Sequence, residues 1–248
     1  MDLPDALAFE RAGLKAWPGI EVDWDGAWVR RAAGGYTKRS NSVQCFDPAD
    51  DGEAEARLAA AVRWFAARRL PPVMRITPLT GKRVIAALDR MDWRVVDESH
   101  LFAMRLAASE PDPRVRRFDL LDPHFLAVQR HLQNYSERSA AGMRALLERV
   151  EVPAIGLVAY AGDNPAASAL MDVADGIAVA GNVVTDPAWR RQGLAAALMR
   201  TGLAWAHGLG ARIAALNVAR DNQGAQALYR NMGYERQYDY SYRIPGDA

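Results

Sequence analysis

Cysteine is nearly absent from this 248-residue chain, which contains Cys45 alone. A single cysteine excludes an internal disulfide and a thiolate cluster that could bind a metal ion. Histidine offers no substitute, because His100, His124 and His207 lack the spacing of metal ligands. We therefore predict no metal site, and we interpret Cys45 as a small, partly buried side chain.

Long apolar runs and an excess of charge of one sign are also absent. No apolar run approaches the ~20 residues that span a membrane, and residues 1–5 lack the pattern of a signal peptide. The formal net charge is +1, which gives no indication of broad nucleic-acid binding. These features predict a cytoplasmic globular protein that has neither a membrane nor a nucleic acid as partner.

A short polar segment divides the sequence. Residues 109–113, Ser-Glu-Pro-Asp-Pro, contain two prolines and two acids but no apolar side chain, which is typical of a linker. We predict an N-terminal domain over 1–110 and a C-terminal domain over 111–248. Periodicity and turn residues predict the following elements in the second domain: helices over 122–133, 140–150, 194–207 and 222–231, strands over 154–161, 166–173, 177–185 and 212–218, and a strand or hairpin over 234–244.

The most informative segment reads Arg-Arg-Gln-Gly-Leu-Ala at 190–195, between a predicted strand and a predicted helix. The first amides of a helix have no intrahelical partner, and the helix dipole adds partial positive charge there. Gly193 lacks the side chain that would block close approach, and Arg190 and Arg191 add formal charge. The segment therefore predicts a site for an anion such as a pyrophosphate.

The N-terminal domain repeats part of this plan when the chain is shifted by about 141 positions. The matches are few but ordered: segment 41–43 falls on 182–184, Gly52 on Gly193, Ala54 on Ala195, Trp64 on Trp205, and segment 91–93 on 232–234. We predict two tandem copies of one domain type; coincidence between two generic α/β segments is the alternative.

The two copies differ at the anion site. Asp50 and Asp51 stand where the second copy has Arg191 and Gln192. Carboxylates repel an anionic ligand, so we expect the first copy to be unable to bind it. A structural or substrate-shaping role is predicted for that copy instead.

The C-terminal half, over about residues 114–243, resembles the GNAT superfamily of acyl-CoA-dependent N-acetyltransferases. Two motifs carry the resemblance, and their residues are Arg190, Gly193 and Ala195 in the first and Asn222, Ala225, Leu228, Tyr229, Gly233 and Tyr234 in the second. The resemblance implies an α+β fold, the GNAT fold, in which helices flank a mixed, mostly antiparallel twisted sheet. It also implies transfer of an acetyl group from acetyl-CoA, as co-substrate, to a primary amine of a small molecule or peptide.

The resemblance further implies a role for each motif residue. The pantetheine arm would pair with the main chain of the strand, and the pyrophosphate would lie on the amides that follow. The implied cofactor-binding residues are Val183, Val184, Thr185, Arg190, Arg191, Gln192, Gly193, Leu194, Ala195, Ala196, Asn222 and Tyr229. Tyr229 holds the place of the general acid that protonates the departing thiolate, with ring packing as the alternative. A backbone amide near Val183 or Val184 would stabilise the oxyanion, and Val184 is our catalytic assignment.

Neither motif identifies the general base that would remove a proton from the amine. Many relatives carry a glutamate on the fourth strand, but residues 177–182 read Ile-Ala-Val-Ala-Gly-Asn here, and an asparagine cannot act as a base. Asp172, Glu137 and water are the alternatives. The missing glutamate also motivates a rival function, a non-catalytic acyl-CoA-binding module, and a transferase for a longer acyl-CoA is a second rival. The protein could act as a monomer or as a homodimer.

Two further segments admit both a functional and a structural interpretation. Tyr238, Tyr240 and Tyr242 share one face of the last strand and could line an acceptor pocket, although a half-buried sheet face is favoured. The polar loop at 34–42 could present Arg39 and Asn41 to that pocket or to the other half, although a hairpin turn with a solvated Lys-Arg pair is favoured.

Overall fold

The computed structural model describes residues 3–246, which form seven α-helices and one sheet of eleven strands. The helices are α1 Ala6–Ala16, α2 Ala54–Ala66, α3 Lys82–Arg90, α4 Pro123–Leu132, α5 Glu137–Leu147, α6 Leu194–Gly208 and α7 Gln223–Asn231. The strands are β1 Glu21–Asp25, β2 Trp28–Ala32, β3 Val43–Cys45, β4 Met74–Ile76, β5 Trp93–Arg105, β6 Val115–Phe118, β7 Ala154–Ala161, β8 Asn164–Ala174, β9 Ile177–Thr185, β10 Ile213–Ala219 and β11 Glu235–Pro245. None of these seven helices is long and apolar enough to cross a bilayer.

The sheet runs through both predicted domains in the order β1-β2-β3-β4-β11-β5-β10-β9-β8-β7-β6. The pairs β3/β4 and β9/β10 are parallel, and the other neighbouring pairs are antiparallel. This confirms the predicted α+β fold with a mixed, mostly antiparallel sheet flanked by helices. The extreme ends of the two predicted domains, residues 1–2 and 247–248, lie outside the described residues.

The strand order is symmetric about the β11/β5 pair, apart from the additional edge strand β6. Both sheet neighbours of β5 come from the C-terminal half, and both neighbours of β11 come from the N-terminal half. Helices α3 and α7 obey the 141-position shift at both ends, since 82 + 141 = 223 and 90 + 141 = 231. The order of elements therefore repeats along the chain, while the last strand of each half completes the sheet of the other.

Helices from both halves cover the strands that carry the predicted motifs. Alternate residues of a strand face opposite sides of a sheet. Ala178 and Ala180 of β9 accordingly pack in the apolar cluster that contains α6, whereas Ile177 and Val179 pack with Phe9 of α1. The N-terminal half therefore forms one wall of the region in which the motifs of the C-terminal half lie.

Side-chain contacts set the start of α5 and hold the predicted linker in place. Ser136 Oγ accepts a hydrogen bond from Ser139 N at 3.1 Å, so α5 begins at Glu137 rather than at the predicted residue 140. The predicted linker packs against α6, because the buried Asp112 carboxylate accepts hydrogen bonds from Arg114 Nε at 2.9 Å and Arg200 Nη2 at 2.5 Å. The connection between the halves is thus held in place by charge-assisted hydrogen bonds.

A buried ion pair joins α1 to the centre of the sheet. Glu10 of α1 accepts a hydrogen bond from Arg75 of β4 at 3.0 Å, from Gln44 of β3 at 2.7 Å, and from the Tyr238 hydroxyl of β11 at 2.8 Å. Burial alone raises the pKa of Glu10, but the charge and hydrogen bonds of Arg75 outweigh it, so the pKa lies below its usual range. The carboxylate is therefore ionised at neutral pH.

Three tyrosines of β11, Tyr238, Tyr240 and Tyr242, surround this ion pair. The Arg75 guanidinium carbon lies 3.8 Å from the Tyr240 ring centroid, and Arg75 Nη1 donates to the Tyr242 hydroxyl at 3.1 Å. The three tyrosines thus pack and hydrogen-bond within the centre of the molecule, as the favoured interpretation of a half-buried sheet face predicts.

Candidate active site

The two parallel strands β9 and β10 separate part of the way along their length. Their pairing runs from Ile177/Ile213 to Ala180/Leu216 and ends there. A cleft of about 200 Å³ opens beyond this point, and its lining is Arg39, Ala180, Gly181, Asn182, Val183, Leu216, Asn217, Val218, Ala219, Asn222, Ala225 and Tyr229. The cleft exposes main-chain groups of both strands that lack a partner strand, so an extended ligand arm can pair with them.

A β-bulge in β9 shapes the wall of the cleft that this strand forms. The register with β8 shifts between Ser168/Val184 and Leu170/Gly181, and Asn182 has a left-handed φ of 49°. Its carbonyl oxygen accepts hydrogen bonds from Gln129 of α4 and from Gln133, the residue that follows α4, each at 3.3 Å. These contacts hold the bulge and turn the strand away from β10.

The bulge also determines which amides face the cleft. Asp186 N donates to Ala166 O of β8 at 2.9 Å, and amides along a strand alternate between its two edges. The alternation directs the amide of Val184 toward β8 and the amides of Val183 and Thr185 toward the cleft. This geometry favours Val183 over Val184 as an oxyanion donor.

The predicted pyrophosphate turn lies beside this end of β9. Arg191 and Gly193 adopt left-handed conformations, with φ values of 65° and 75°, and α6 begins at Leu194 without a side-chain cap. A Cβ built on Gly193 would meet open space. Successive amides near such left-handed residues form a concave anion site. The first turn of α6 therefore presents amides and a positive dipole end at an exposed position.

Two arginines hold this turn in place. Arg114 Nη1 donates to Gln192 O at 3.2 Å, and Arg190 Nε lies 3.5 Å from Thr185 O. The side chains of Arg190 and Arg191 are exposed. Their charges are therefore available to a ligand at the turn.

Helix α7 contributes two of the predicted residues to the opposite wall. Asn222 caps the helix, because its Oδ1 accepts a hydrogen bond from Ala225 N at 3.1 Å. Tyr229 is 5% exposed, and its ring packs edge-on against Tyr234 with 5.8 Å between centroids. Burial raises the pKa of Tyr229 to about 12, so the phenol keeps its proton at neutral pH.

The structure adds Tyr36 of the N-terminal half to the site and places Arg39 as the functional interpretation of its loop expects. The Tyr36 hydroxyl lies 3.4 Å from Asn182 Nδ2 and 3.0 Å from the Tyr135 hydroxyl. Arg39 lines the cleft, whereas Lys38 pairs with Asp97. The favoured interpretation of a solvated Lys-Arg pair is therefore wrong for Arg39. Asn41 is a loop-forming residue, since its side chain bonds only the backbone of its own loop in the described residues.

The two acids considered as general base lie outside the described cleft lining. Asp172 of β8 is buried, and burial raises the pKa of its carboxyl well above the usual range, although the charge of Arg39 acts in the opposite direction. Glu137 begins α5, is 90% exposed and lies 3.6 Å from Arg130. Among residues 3–246, no group of three or more acidic, histidine or cysteine side chains is arranged to hold a metal ion.

In the N-terminal half, the two carboxylates that stand in place of Arg191 and Gln192 make hydrogen bonds of their own. Asp51 Oδ2 accepts a hydrogen bond from Arg83 N, in the first turn of α3, at 3.0 Å. Asp50 accepts hydrogen bonds from Ala27 N at 2.7 Å and from Arg57 Nη1 at 2.9 Å. A Cβ on Gly81 would lie 2.6 Å from Pro48 O. The contacts of Asp51 and Gly81 lie at the start of α3, which corresponds to α7. The start of α2, which corresponds to that of α6, has no side-chain cap, and the charges of the preceding Asp50 and Asp51 oppose an anion there.

Comparisons with known proteins give consistent matches. Residues 5–243 match the family model described as "Probable histone acetyltransferase Rv0428c C-terminal". "Uncharacterized N-acetyltransferase YobR" of Bacillus subtilis (strain 168) is 25% identical over 248 residues, which cover 98% of this chain and 99% of that protein. A GCN5-related N-acetyltransferase from Kribbella flavida superposes with a TM-score of 0.74 at 18% identity, covering 99% of this chain and 97% of that chain. A tandem GNAT protein from the clavulanic acid biosynthesis pathway gives a TM-score of 0.62 at 14% identity, with coverages of 82% and 74%.

Proposed function

Because the chain belongs to the family whose model matches residues 5–243 and is an N-acetyltransferase of the GNAT type, we propose that it moves an acetyl group from acetyl-CoA to a primary amine by direct attack. One observation carries this proposal: the glycine turn at the start of α6 lies beside the cleft that opens between β9 and β10. The turn suits a pyrophosphate, and the cleft suits the extended arm attached to it.

The residues present fit acetyl-CoA as the donor substrate. The amides of residues 191–196, with the side chains of Arg190 and Arg191, would hold the pyrophosphate. The main chain of Val183, Val184 and Thr185 would pair with the pantetheine arm, and Asn222 and Tyr229 would contact it from α7. The open space at the Gly193 Cβ position supports this assignment, since a phosphate can approach the backbone there.

In the proposed reaction the amine nitrogen bonds to the acetyl carbon and the carbon–sulfur bond breaks. The amide of Val183, with Val184 as the alternative, would donate to the carbonyl oxygen as it gains charge. Tyr229 would protonate the departing thiolate, because it lines the cleft and its phenol is protonated at neutral pH. Burial raises the pKa of Tyr229 to about 12, which makes this phenol a weaker acid than an exposed tyrosine. Asp172, Glu137 or water would accept the proton that the amine loses.

Replacing Tyr229 with phenylalanine should lower kcat about a hundredfold and leave acetyl-CoA affinity nearly unchanged, since only the hydroxyl is removed. Release of the coenzyme A thiol in steady-state assays measures this effect. Tyr234→Phe is the matched control, because the neighbouring Tyr234 hydroxyl is buried without a hydrogen-bond partner in residues 3–246. Equal kcat values for both variants and the wild type would exclude Tyr229 as the acid.

We infer that the chain consists of two GNAT-like copies, over 1–110 and 111–248, and that the second alone binds acetyl-CoA. The 141-position shift between α3 and α7, the symmetric strand order and the fold shared with a tandem GNAT protein support this inference. Asp50 and Asp51 support the loss of binding in the first copy. Since the two copies complete one sheet within one chain, we expect a monomer to be active, with a homodimer as the alternative.

Calorimetric titration with acetyl-CoA should give one site per chain, with a Kd in the micromolar range. Two sites would contradict the loss of binding that Asp50 and Asp51 predict for the N-terminal copy. Absence of binding would reject the proposed donor, and binding without turnover across a broad amine panel would favour the acyl-CoA-binding module. Competition by longer acyl-CoA molecules in the same titration tests the acyl length that the cleft accepts.

A further inference from the structure

Arg39 lies at the wall of the cleft and has no ion-pair partner among the described residues. It lines the cleft together with Asn182 and Asn217. Its Nε atom is buried and makes no hydrogen bond, and the guanidinium forms no ion pair within residues 3–246. Leaving a buried donor unsatisfied costs about 1–3 kcal/mol, and more for a charged group. Such a cost indicates that the group is arranged for a ligand.

The loop that carries Arg39 is rigid. Asn41 Oδ1 accepts hydrogen bonds from Ala33 N at 2.7 Å and Gly35 N at 3.1 Å, and Ser40 Oγ donates to Tyr36 O at 2.6 Å. Trp17 supports the guanidinium itself, with 5.9 Å between the Arg39 Cζ atom and the ring centroid. Arg39 is therefore positioned before a ligand arrives, which reduces the entropy lost on binding.

The buried charged side chains around Arg39 include more cations than anions. Arg31 and Arg75 lie in the adjoining small cavity, which Arg39 and Asn217 also line. Glu10 neutralises Arg75, whereas Arg31 donates only to neutral oxygens of Trp17 and Gln44 in the described structure. The pKa of Arg31 falls to about 9, because of burial first and the charges of Arg75 and Arg39 after it. Asp172 is the neighbouring acid, but burial raises the pKa of its carboxyl well above the usual range despite the charge of Arg39, and no ion pair joins the two within residues 3–246.

An unpartnered acceptor atom faces the same cleft. Asn217 Oδ1 is buried and makes no hydrogen bond in the described residues. Asn217 lies on β10, one residue beyond the end of its pairing with β9. A guanidinium and an amide oxygen on one cleft wall match a ligand that offers both an anion and an N–H group.

We propose that Arg39 binds a carboxylate of the acceptor and that Asn217 Oδ1 accepts a hydrogen bond from its amine, so that the preferred acceptors are small amines that carry a carboxylate. The inference rests on the proposed acetyl transfer and specifies its substrate class. The planar fork of arginine pairs with a carboxylate through two parallel hydrogen bonds. The N-terminal half, which lacks a cofactor site, would thus select the acceptor for the other half.

The test compares amino acids with their carboxamides as acceptors, in the presence of saturating acetyl-CoA. For the wild type we expect kcat/KM to be about thirtyfold to a hundredfold higher for an amino acid than for its carboxamide, because hydrogen bonds to a charged group are lost in the amide. Arg39→Gln should remove this preference mainly by raising KM for the amino acid, and Arg39→Lys should keep part of it.

Lys38→Gln is the matched control, since it removes a charge from the same loop at a surface pair with Asp97. It should leave both kcat/KM values unchanged. Thermal melting of each variant detects a loss of folding, and titration with acetyl-CoA detects a loss of donor binding, so that either can be told apart from a loss of acceptor preference. Loss of acetyl-CoA binding by the wild type would reject the proposed function itself.

Other outcomes would overturn the Arg39 inference alone. These are equal use of amino acids and carboxamides by a wild type that binds acetyl-CoA, or an unchanged preference in Arg39→Gln. The inference would also be overturned if the wild type transferred acetyl groups only to amines that lack a carboxylate. If no amine is acetylated, calorimetric titration of the amino acids onto the coenzyme A complex decides, and absence of binding would reject the inference.

Discussion

Replacing Gly193 with leucine is expected to weaken acetyl-CoA binding about a thousandfold while the protein remains folded. The φ of Gly193 is +75°, and a Cβ there would point into open space at the start of α6. A leucine side chain would occupy the space in which the phosphates approach the backbone. Loss of two charge-assisted hydrogen bonds of about 2 kcal/mol each gives the expected size of the effect. Calorimetric titration measures it.

Gly176→Leu provides the matched control for backbone strain. Gly176 lies in the turn between β8 and β9, has a φ of +76°, and also has open space at its Cβ position. Both substitutions should cost roughly 1–2 kcal/mol of stability because a side chain is forced into the left-handed region. Only the substitution at 193 should change the affinity, and wild-type affinity in Gly193→Leu would reject the pyrophosphate site.

Glu10→Gln is expected to lower the free energy of unfolding by about 3–5 kcal/mol. The glutamine has nearly the same shape, but it leaves Arg75 buried without an anion and keeps only neutral contacts to Gln44 and Tyr238. Urea denaturation measures the loss. Glu55→Gln is the control, since the Glu55–Arg90 pair is more than half exposed on both sides and contributes about 0–1 kcal/mol. A loss as small as that of Glu55→Gln would show that the buried pair does not stabilise the fold.

The pH dependence of stability offers an independent check on Glu10. Its pKa is lowered in the folded protein, with Arg75 overcoming the effect of burial. The stability that this shift contributes is present above the pKa of the unfolded chain and is lost as the pH falls through the folded-state pKa. Glu10→Gln should therefore show a weaker loss of stability on acidification than the wild type.

Sequence reasoning succeeded where neighbouring residues decide the structure. A helix start needs only a cap or a glycine turn and an apolar face, so α6 and α7 follow from residues 190–195 and from Asn222. The separation of β9 and β10 required the family resemblance, because nothing within either strand indicates where pairing ends. The alternation of amides at Val183 and Val184 became visible only with the register of β8.

Arg39 shows the limit of such reasoning. It lines one cleft with Asn182, although 182 − 39 = 143 positions separate them. In the sequence, Lys38 and Arg39 look equivalent, and a basic pair in a polar loop is usually solvated. The packing of the loop at 34–42 against the other half determines that Lys38 faces outward to Asp97 and Arg39 faces the cleft. Contacts between the two halves are set by tertiary structure, which local propensity does not encode.

The exchange of last strands has a consequence for how the chain folds during synthesis. Strand β4 has β3 on one side and β11 on the other, and β11 ends at Pro245. The N-terminal half therefore leaves the ribosome with one edge of β4 unpaired, and that edge stays uncovered until β11 has been synthesised. Pairings of such long sequence separation fold slowly and expose strand edges to aggregation meanwhile. A nascent chain of this protein should depend on chaperones more than its length alone suggests.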